Sequence, residues 1–343
     1  MLHFFPTFGA DVSDSPFARE LRGLGVDHRL FGQELLLRYR SRLWLVFLGW
    51  PRLAAFAMRS ALRSLLLSRP QPTTVVLGSH FEVLAFGALR ALGISRGTRI
   101  VLLGFILTSR RSGLANRARQ AYFGFVFNVA DTVICHSRGE VDRYRGLFAR
   151  CRARFVYMPF GLHIAGREGP APPRHDGRPY ILSAGRSGRD YRTLFEAVEG
   201  LDIELHVVCD LQSAVADLRV PRNVTVLRGC YDDAYVEELR QCEFVVIPLG
   251  VSDISAGQMV LVQAMAFAKA TVITATPSVA EYVRHGVESM LVAQGDAAQL
   301  RAAIGLLLVD PELRAGLAAR ASRAFDERFS MRAYVRHLVD CAS

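Results

Sequence analysis

Short apolar runs rich in β-branched residues recur along this chain, each separated from the next by a stretch of helical spacing, and that alternation leaves few folds open. Such runs are buried on both faces only when helices cover the sheet on each side, which is the parallel βαβ arrangement. In the first half they fall at 2–5, 73–78, 99–104, 132–135 and 154–158, with helices expected at 82–92, 114–130 and 138–149. In the second half they fall at 180–184, 203–209, 223–227, 243–248 and 270–274. Between the halves, residues 167–178 hold Pro170, Pro172 and Pro173 and little that is apolar, as a linker does. After Asp296 the spacing is helical to the end, with Pro311 opening one helix and Ser330 capping the last. The expectation is an α/β protein of two doubly wound domains, at 1–166 and 179–328, followed by a terminal helix at 329–343.

At 343 residues and 51% hydrophobic content the chain can bury two cores of ordinary size. Its charge is unevenly placed. Residues 1–165 carry 23 arginines against 9 acidic residues, while 166–343 carry 19 basic against 23 acidic. A cationic first half points to an anionic partner, of which a membrane surface or a lipid-linked phosphate fits best. Nucleic acid is disfavoured, because the arginines are not interleaved with a recognisable reading element. Cys135 and Cys209 lie inside apolar runs, and no Cys-x-x-Cys, His-Glu-x-x-His or Asp-x-Asp spacing occurs, so neither a metal nor another cofactor is expected. The first residues show no secretory signal, and the apolar stretch Leu43 to Trp50 is too short to cross a bilayer. A cytoplasmic protein follows as the expectation, one able to sit at the inner face of the membrane.

The stretch Ser255 to Ala266, SAGQMVLVQAMA, followed by FAKATVITA, has the form of a glycine-initiated helix aimed at an anion. Gly257 lets backbone approach a ligand, and the free N–H groups and dipole of the helix start attract phosphate. The segment SAGRSGRDYRTLFEAV (183–198) places Gly185, Arg186 and Arg189 just past an apolar strand, where open α/β sheets bind ligands.

Both segments resemble the donor-binding motifs of GT-B glycosyltransferases, above all the large retaining family 4, in which EGFGLPVLEAMACGTPVI is a typical form of the first. The resemblance covers roughly 70–343 and is stronger over 180–343. It implies two Rossmann-like domains facing a cleft, with the C-terminal helix crossing back to the first domain. It also implies that Arg186 and Arg189 clamp a donor diphosphate alongside Gly257 and Gln258. This chain departs from the family by carrying Ser255 and Gln263 where two glutamates usually stand, and both changes remove charge. Gln263 can still hydrogen-bond ribose hydroxyls through its amide, and Asp253 is a carboxylate close enough in sequence to serve the transferred sugar. The turn at Gly229 matches the place where the family lays backbone against the base, and Glu281 matches a family glutamate that either frames the pocket or is purely structural.

In the first half, His80 and Glu82 follow an apolar strand, and on an extended segment both would project from one side. Either could act as a base toward an acceptor. Phe8-Gly9-Ala10 follows the first strand where the family has a glycine-rich turn, and Ser137 reads as a helix N-cap. Gln33 to Arg69 contains seven arginines and one acidic residue among Trp44, Trp50 and many leucines, which suits a helix lying on an anionic bilayer.

The function implied is transfer of a sugar from a nucleotide-diphosphate sugar to a hydroxyl of a lipid-linked glycan, in assembly of a cell-surface polysaccharide or glycolipid. Retention would let the departing phosphate take the acceptor proton. Inversion would need His80 or Glu82. A non-catalytic nucleotide-sugar-binding partner and a nucleotide-sugar epimerase of the same architecture remain open as alternatives.

Overall fold

The computed structural model describes residues 1–5, 13–31, 49–66, 72–105, 113–164, 167, 178–185, 187–209, 215–250 and 256–342. Two compact units result: Met1–Met158 with Tyr334–Ser343, and Pro159–Ala333. Each is built on a six-stranded sheet whose strands all run parallel.

In the first unit the strands are β1 (Leu2–Phe5), β2 (His28–Leu30), β3 (Thr74–Leu77), β4 (Arg99–Leu103), β5 (Thr132–Cys135) and β6 (Arg154–Tyr157), in the order β2-β1-β3-β4-β5-β6. The runs TVVL and TVIC are buried at every residue, the pattern expected of strands covered on both faces. Among the described residues the helices that precede or follow them are α1 (Pro16–Gly23), α2 (Trp50–Leu66), α3 (His80–Ala91), α4 (Leu114–Val129) and α5 (Arg138–Leu147). Helix α2 packs on α3, and α3 on α4. Ser137 caps α5 as expected, its hydroxyl accepting the Glu140 N–H at 3.2 Å.

The second unit orders its strands β12-β11-β10-β7-β8-β9. These are β7 (Tyr180–Ala184), β8 (Glu204–Val208), β9 (Val224–Leu227), β10 (Val245–Ile247), β11 (Thr271–Thr274) and β12 (Met290–Val292). Its helices are α6 (Tyr191–Val198), α7 (Asp232–Gln241), α8 (Gln258–Ala266), α9 (Pro277–Ala280), α10 (Ala297–Val309) and α11 (Pro311–Ala324). The sheet order reverses between β7 and β10, so their carboxyl ends border the crevice where such sheets bind ligands.

Most of the stretch 167–178 falls outside the described residues. Its first residue does not hang free. Arg167 donates from Nε to the Ala266 carbonyl at 2.6 Å, pairs with Asp326 and lies 4.8 Å over the Phe325 ring, which fixes it to the end of α8. The terminal helix α12 (Met331–Ala342) begins beneath the Ser330 hydroxyl, which accepts the Ala333 N–H at 3.3 Å. From Tyr334 it belongs to the first unit, where Val335 and Leu338 are buried and the Ala342 carbonyl accepts the Thr74 hydroxyl at 3.2 Å. No described helix is long and apolar enough to cross a membrane.

Candidate functional site

Strand β7 ends at Ala184, and Gly185 turns the chain at φ +109°, a region that L side chains rarely adopt. Its N–H donates to the Val208 carbonyl at 3.0 Å, and its carbonyl accepts the Tyr191 hydroxyl. The chain then doubles back, and Arg189 forms an isolated bridge with Leu249, just past β10. The Asp190 N–H reaches the Pro248 carbonyl at 3.2 Å and the Gly250 N–H reaches the Gly188 carbonyl at 2.9 Å. The loops after β7 and β10 are therefore stitched together at the reversal point of the sheet. Asp190 finishes the turn by capping α6, its carboxylate accepting the Thr193 N–H at 3.1 Å.

The Arg189 side chain folds back over this turn. Its Nε donates to the Ala184 carbonyl at 2.9 Å and its Nη1 to the Ser187 carbonyl at 3.1 Å. A Cβ on residue 185 would stand 2.4 Å from Nη2, so the glycine also makes room for the guanidinium. Among the described residues no carboxylate pairs with Arg189, and burial pushes its pKa below the ordinary value while the phenols of Tyr191 and Tyr235 act in the opposite sense. A desolvated guanidinium whose partners among the described residues are carbonyl oxygens is chemically suited to receive an anion.

Helix α8 begins on the other side of the same crevice. Gly257 is its N-cap at φ +88° and ψ −18°, with no side chain capping the first N–H groups. A Cβ there would meet Leu249 Cδ2 at 3.3 Å and Ile247 Cγ2 at 3.4 Å, so the helix start rests directly on the end of β10. Gln258 is 6% exposed, and its Nε2 has no hydrogen-bond partner among the described residues. One and a half turns on, Gln263 is half-buried and its Oε1 accepts the Tyr235 hydroxyl of α7 at 3.1 Å. Burial raises the Tyr235 pKa, so the phenol keeps its proton.

Gly185, Arg189, Gly257, Gln258 and Gln263 are thus brought to one end of one sheet. Arg186, Asp253 and Ser255 lie outside the described residues. Gly229 sits at φ +67° between β9 and α7 with nothing within 4 Å of an added Cβ, so that turn keeps an open face. Glu281 is the C-cap of α9, and its carbonyl accepts Arg328 Nη2 at 2.8 Å. Sequence reasoning missed Tyr191 and Tyr235. Nothing in YRTLF or DDAYVEEL marks either ring as other than a core residue.

In the first unit the expectation of an extended segment at His80 and Glu82 is corrected. Helix α3 starts at His80, so the two side chains project about 200° apart rather than to one side. The cause is a capping box. Glu82 Oε2 accepts the Gly78 and Ser79 N–H groups at 3.1 Å each, and the Ser79 hydroxyl accepts the Phe81 N–H at 3.2 Å. Glu82 is 2% exposed and serves the helix start. His80 lies among rings, with centroids of Phe81 at 4.3 Å and of Tyr122 and Phe123 at 5.7 Å, and burial lowers its pKa. Phe8, Gly9 and Ala10 lie outside the described residues, as do 33–48 and 67–69 of the basic stretch.

Residues 170–324 match the family described as glycosyl transferases group 1. Among solved structures the chain is similar to a glycosyltransferase from Rickettsia africae ESF-5, at 11% identity and a TM-score of 0.65 over 99% of this chain and 96% of that one. It is also similar to Anabaena HepE in complex with UDP and glucose, at 14% identity and a TM-score of 0.61 over 99% and 98%. Sucrose-phosphate synthase from Thermosynechococcus elongatus gives 16% identity and a TM-score of 0.69 over 99% and 97%. No curated protein matches the sequence. At these identities the structural likeness is one of fold, with two Rossmann-like domains of GT-B type in each case.

Proposed function

We propose that this protein is a glycosyltransferase, since residues 170–324 match the glycosyl transferases group 1 family and the chain has the GT-B fold, and that its second unit holds a nucleotide-diphosphate sugar at the stitched ends of β7 and β10. One observation carries this reading: a guanidinium without a carboxylate partner among the described residues and an uncapped helix start border the same reversal point of one sheet. Arg189, Arg186 and the first N–H groups of α8 would receive the diphosphate and stabilise it as it leaves. The Gln263 oxygen is already taken by Tyr235, so its amide N–H groups would donate to the ribose. Asp253 and Ser255 would meet the sugar, the Gly229 turn the base, and Glu281 the rim. The HepE complex makes a uridine nucleotide the first donor to try.

The acceptor we assign is a hydroxyl of a lipid-linked glycan, in assembly of a cell-surface polysaccharide or glycolipid at the inner face of the membrane. The support is the cationic first half and α2, where Trp50, Arg52, Arg59 and Arg63 are exposed and no acidic residue occurs. We further propose retention. The departing phosphate then takes the acceptor proton, and Glu82, occupied in its capping box, is not required as a base.

Calorimetric titration with uridine, guanosine and thymidine diphosphates tests the donor site. One of the three should bind, and Arg186→Ala should weaken it about tenfold, the worth of one charge-assisted hydrogen bond. Equal affinity in parent and variant removes the assignment of that residue. Tyr235→Phe should cost roughly 1 kcal/mol in urea unfolding, for one lost hydrogen bond. It should weaken nucleotide binding about threefold, because the amide of Gln263 is no longer held in place. Release of an altered sugar nucleotide without any acceptor would instead identify an epimerase.

A further inference from the structure

A cavity of about 780 Å³ opens in the first unit among α2, α3 and α4. Trp50, Ala54 and Met58, each four residues from the last, line it from α2, and Tyr122 and Phe123 line it from α4. Residues at that spacing share a helix face. Faces of this kind ordinarily interlock, and here they stand apart, with Phe81 and Leu84 of α3 between them.

The lining excludes most ligands of a glycosyltransferase. Of its lining residues Ala54, Met58, Phe81, Leu84, Ala85 and Phe123 are wholly apolar, the polar tips of Trp50, His80, Arg119 and Tyr122 are few, and His80 is packed edge-on against Tyr122 and Phe123. A sugar or a nucleotide placed there would lose its hydrogen bonds to water and find few in return. A hydrocarbon loses nothing. Pockets of several hundred Å³ with apolar walls and few polar groups are of the size and kind that hold one small apolar ligand.

The surroundings supply the second half of the argument. Helices α2 and α4 carry Arg52, Arg59, Arg63, Arg117 and Arg119, and neither holds an acidic residue. Trp50 at 50% exposure and Tyr122 at 37% stand where the cavity meets this cationic surface. An apolar interior beside a one-signed positive surface matches an amphiphile with an anionic head.

We propose that the cavity seats the apolar tail of a lipid phosphate, the lipid of the acceptor, with its phosphate among the arginines of α2 and α4. This rests on the lipid-linked acceptor proposed above. It deepens that reading by placing the tail in a defined pocket rather than in the bilayer. His80, neutral through burial, would then stand beside the tail and not serve as a base.

The test is calorimetric titration of the full chain with farnesyl phosphate below its micellar concentration, alongside farnesol and inorganic phosphate. Farnesyl phosphate should saturate with one site, farnesol should bind at least fivefold more weakly, and phosphate alone should give no saturable heat. Leu84→Trp, which fills the cavity from its floor, should weaken farnesyl phosphate at least tenfold and leave nucleotide diphosphate binding unchanged. Ala54→Phe, at an exposed position of the rim, gives the same reading should the first variant not fold. Equal affinity in parent and filled variants overturns the proposal. So does adsorption of the parent to phosphatidylglycerol vesicles without any response to farnesyl phosphate, which would assign this face to a bilayer. Failure of the lipid with nucleotide binding intact removes only the cavity's ligand. Failure of every nucleotide with the lipid still bound removes the donor reading instead.

Discussion

Arg189→Ala is expected to weaken binding of the preferred nucleoside diphosphate about a hundredfold. Two effects combine. The guanidinium would supply charge-assisted hydrogen bonds to phosphate worth roughly 1.5–3 kcal/mol each, and a factor of one hundred needs about 2.8 kcal/mol. The same side chain also ties the turn, through the Ala184 and Ser187 carbonyls at 2.9 and 3.1 Å. Arg189→Lys separates the two. A lysine keeps the charge but cannot reach two carbonyls and a ligand with one planar fork, so it should recover at most a tenth of the lost affinity. Isothermal calorimetry with uridine diphosphate reads the difference, and full recovery by lysine would show that charge alone matters.

Replacement of Gly257 by valine should both unfold the second unit more easily and abolish nucleotide binding. At φ +88° a side chain costs roughly 1–2 kcal/mol for backbone strain alone. Added methyl groups would enter space already bounded by Leu249 at 3.3 Å and Ile247 at 3.4 Å, and such overpacking costs roughly 1–3 kcal/mol more. A loss of about 2–5 kcal/mol in urea unfolding is the expected sum. Gly257→Ala should show the strain with little of the crowding, at about 1–2 kcal/mol. An alanine variant that unfolds like the parent and binds nucleotide equally well would mean that this glycine is not needed for backbone approach.

Much of the fold was legible because parallel strands declare themselves locally. The runs at 73–78, 132–135 and 270–274 are continuous and β-branched, and each contains an observed strand buried along its length. Strands β2 and β12 were not read. His28–Leu30 carries two basic residues and only half-buried or exposed positions, and Met290–Val292 has three residues, so neither shows a period. The start of α3 was misread although its signal was present. Ser79 followed three residues later by Glu82 is a capping-box spelling, and it was the better guide to His80 and Glu82 than even spacing after a strand.

At the candidate site, the sequence placed Gly185, Arg189 and Gly257 after strands because glycine next to an apolar run marks a turn at a strand end. It could not pair the turns. The bonds from Asp190 to Pro248 and from Gly250 to Gly188 join segments some sixty residues apart, and only the return of β10 beside β7 makes them neighbours. The same holds for Tyr235, whose hydroxyl reaches Gln263 from another helix.

What the chain's own text determined was the periodic part: two parallel sheets, their covering helices, and glycines where backbone must bend or approach closely. Tertiary structure alone decided which cation has no carboxylate partner among the described residues, which amide was already engaged, and which three helix faces failed to close on each other. The reason is physical. Strand and helix periods are set by bonds between near neighbours, whereas the charge balance of a guanidinium or the emptiness of a cavity depends on residues that only the fold brings together.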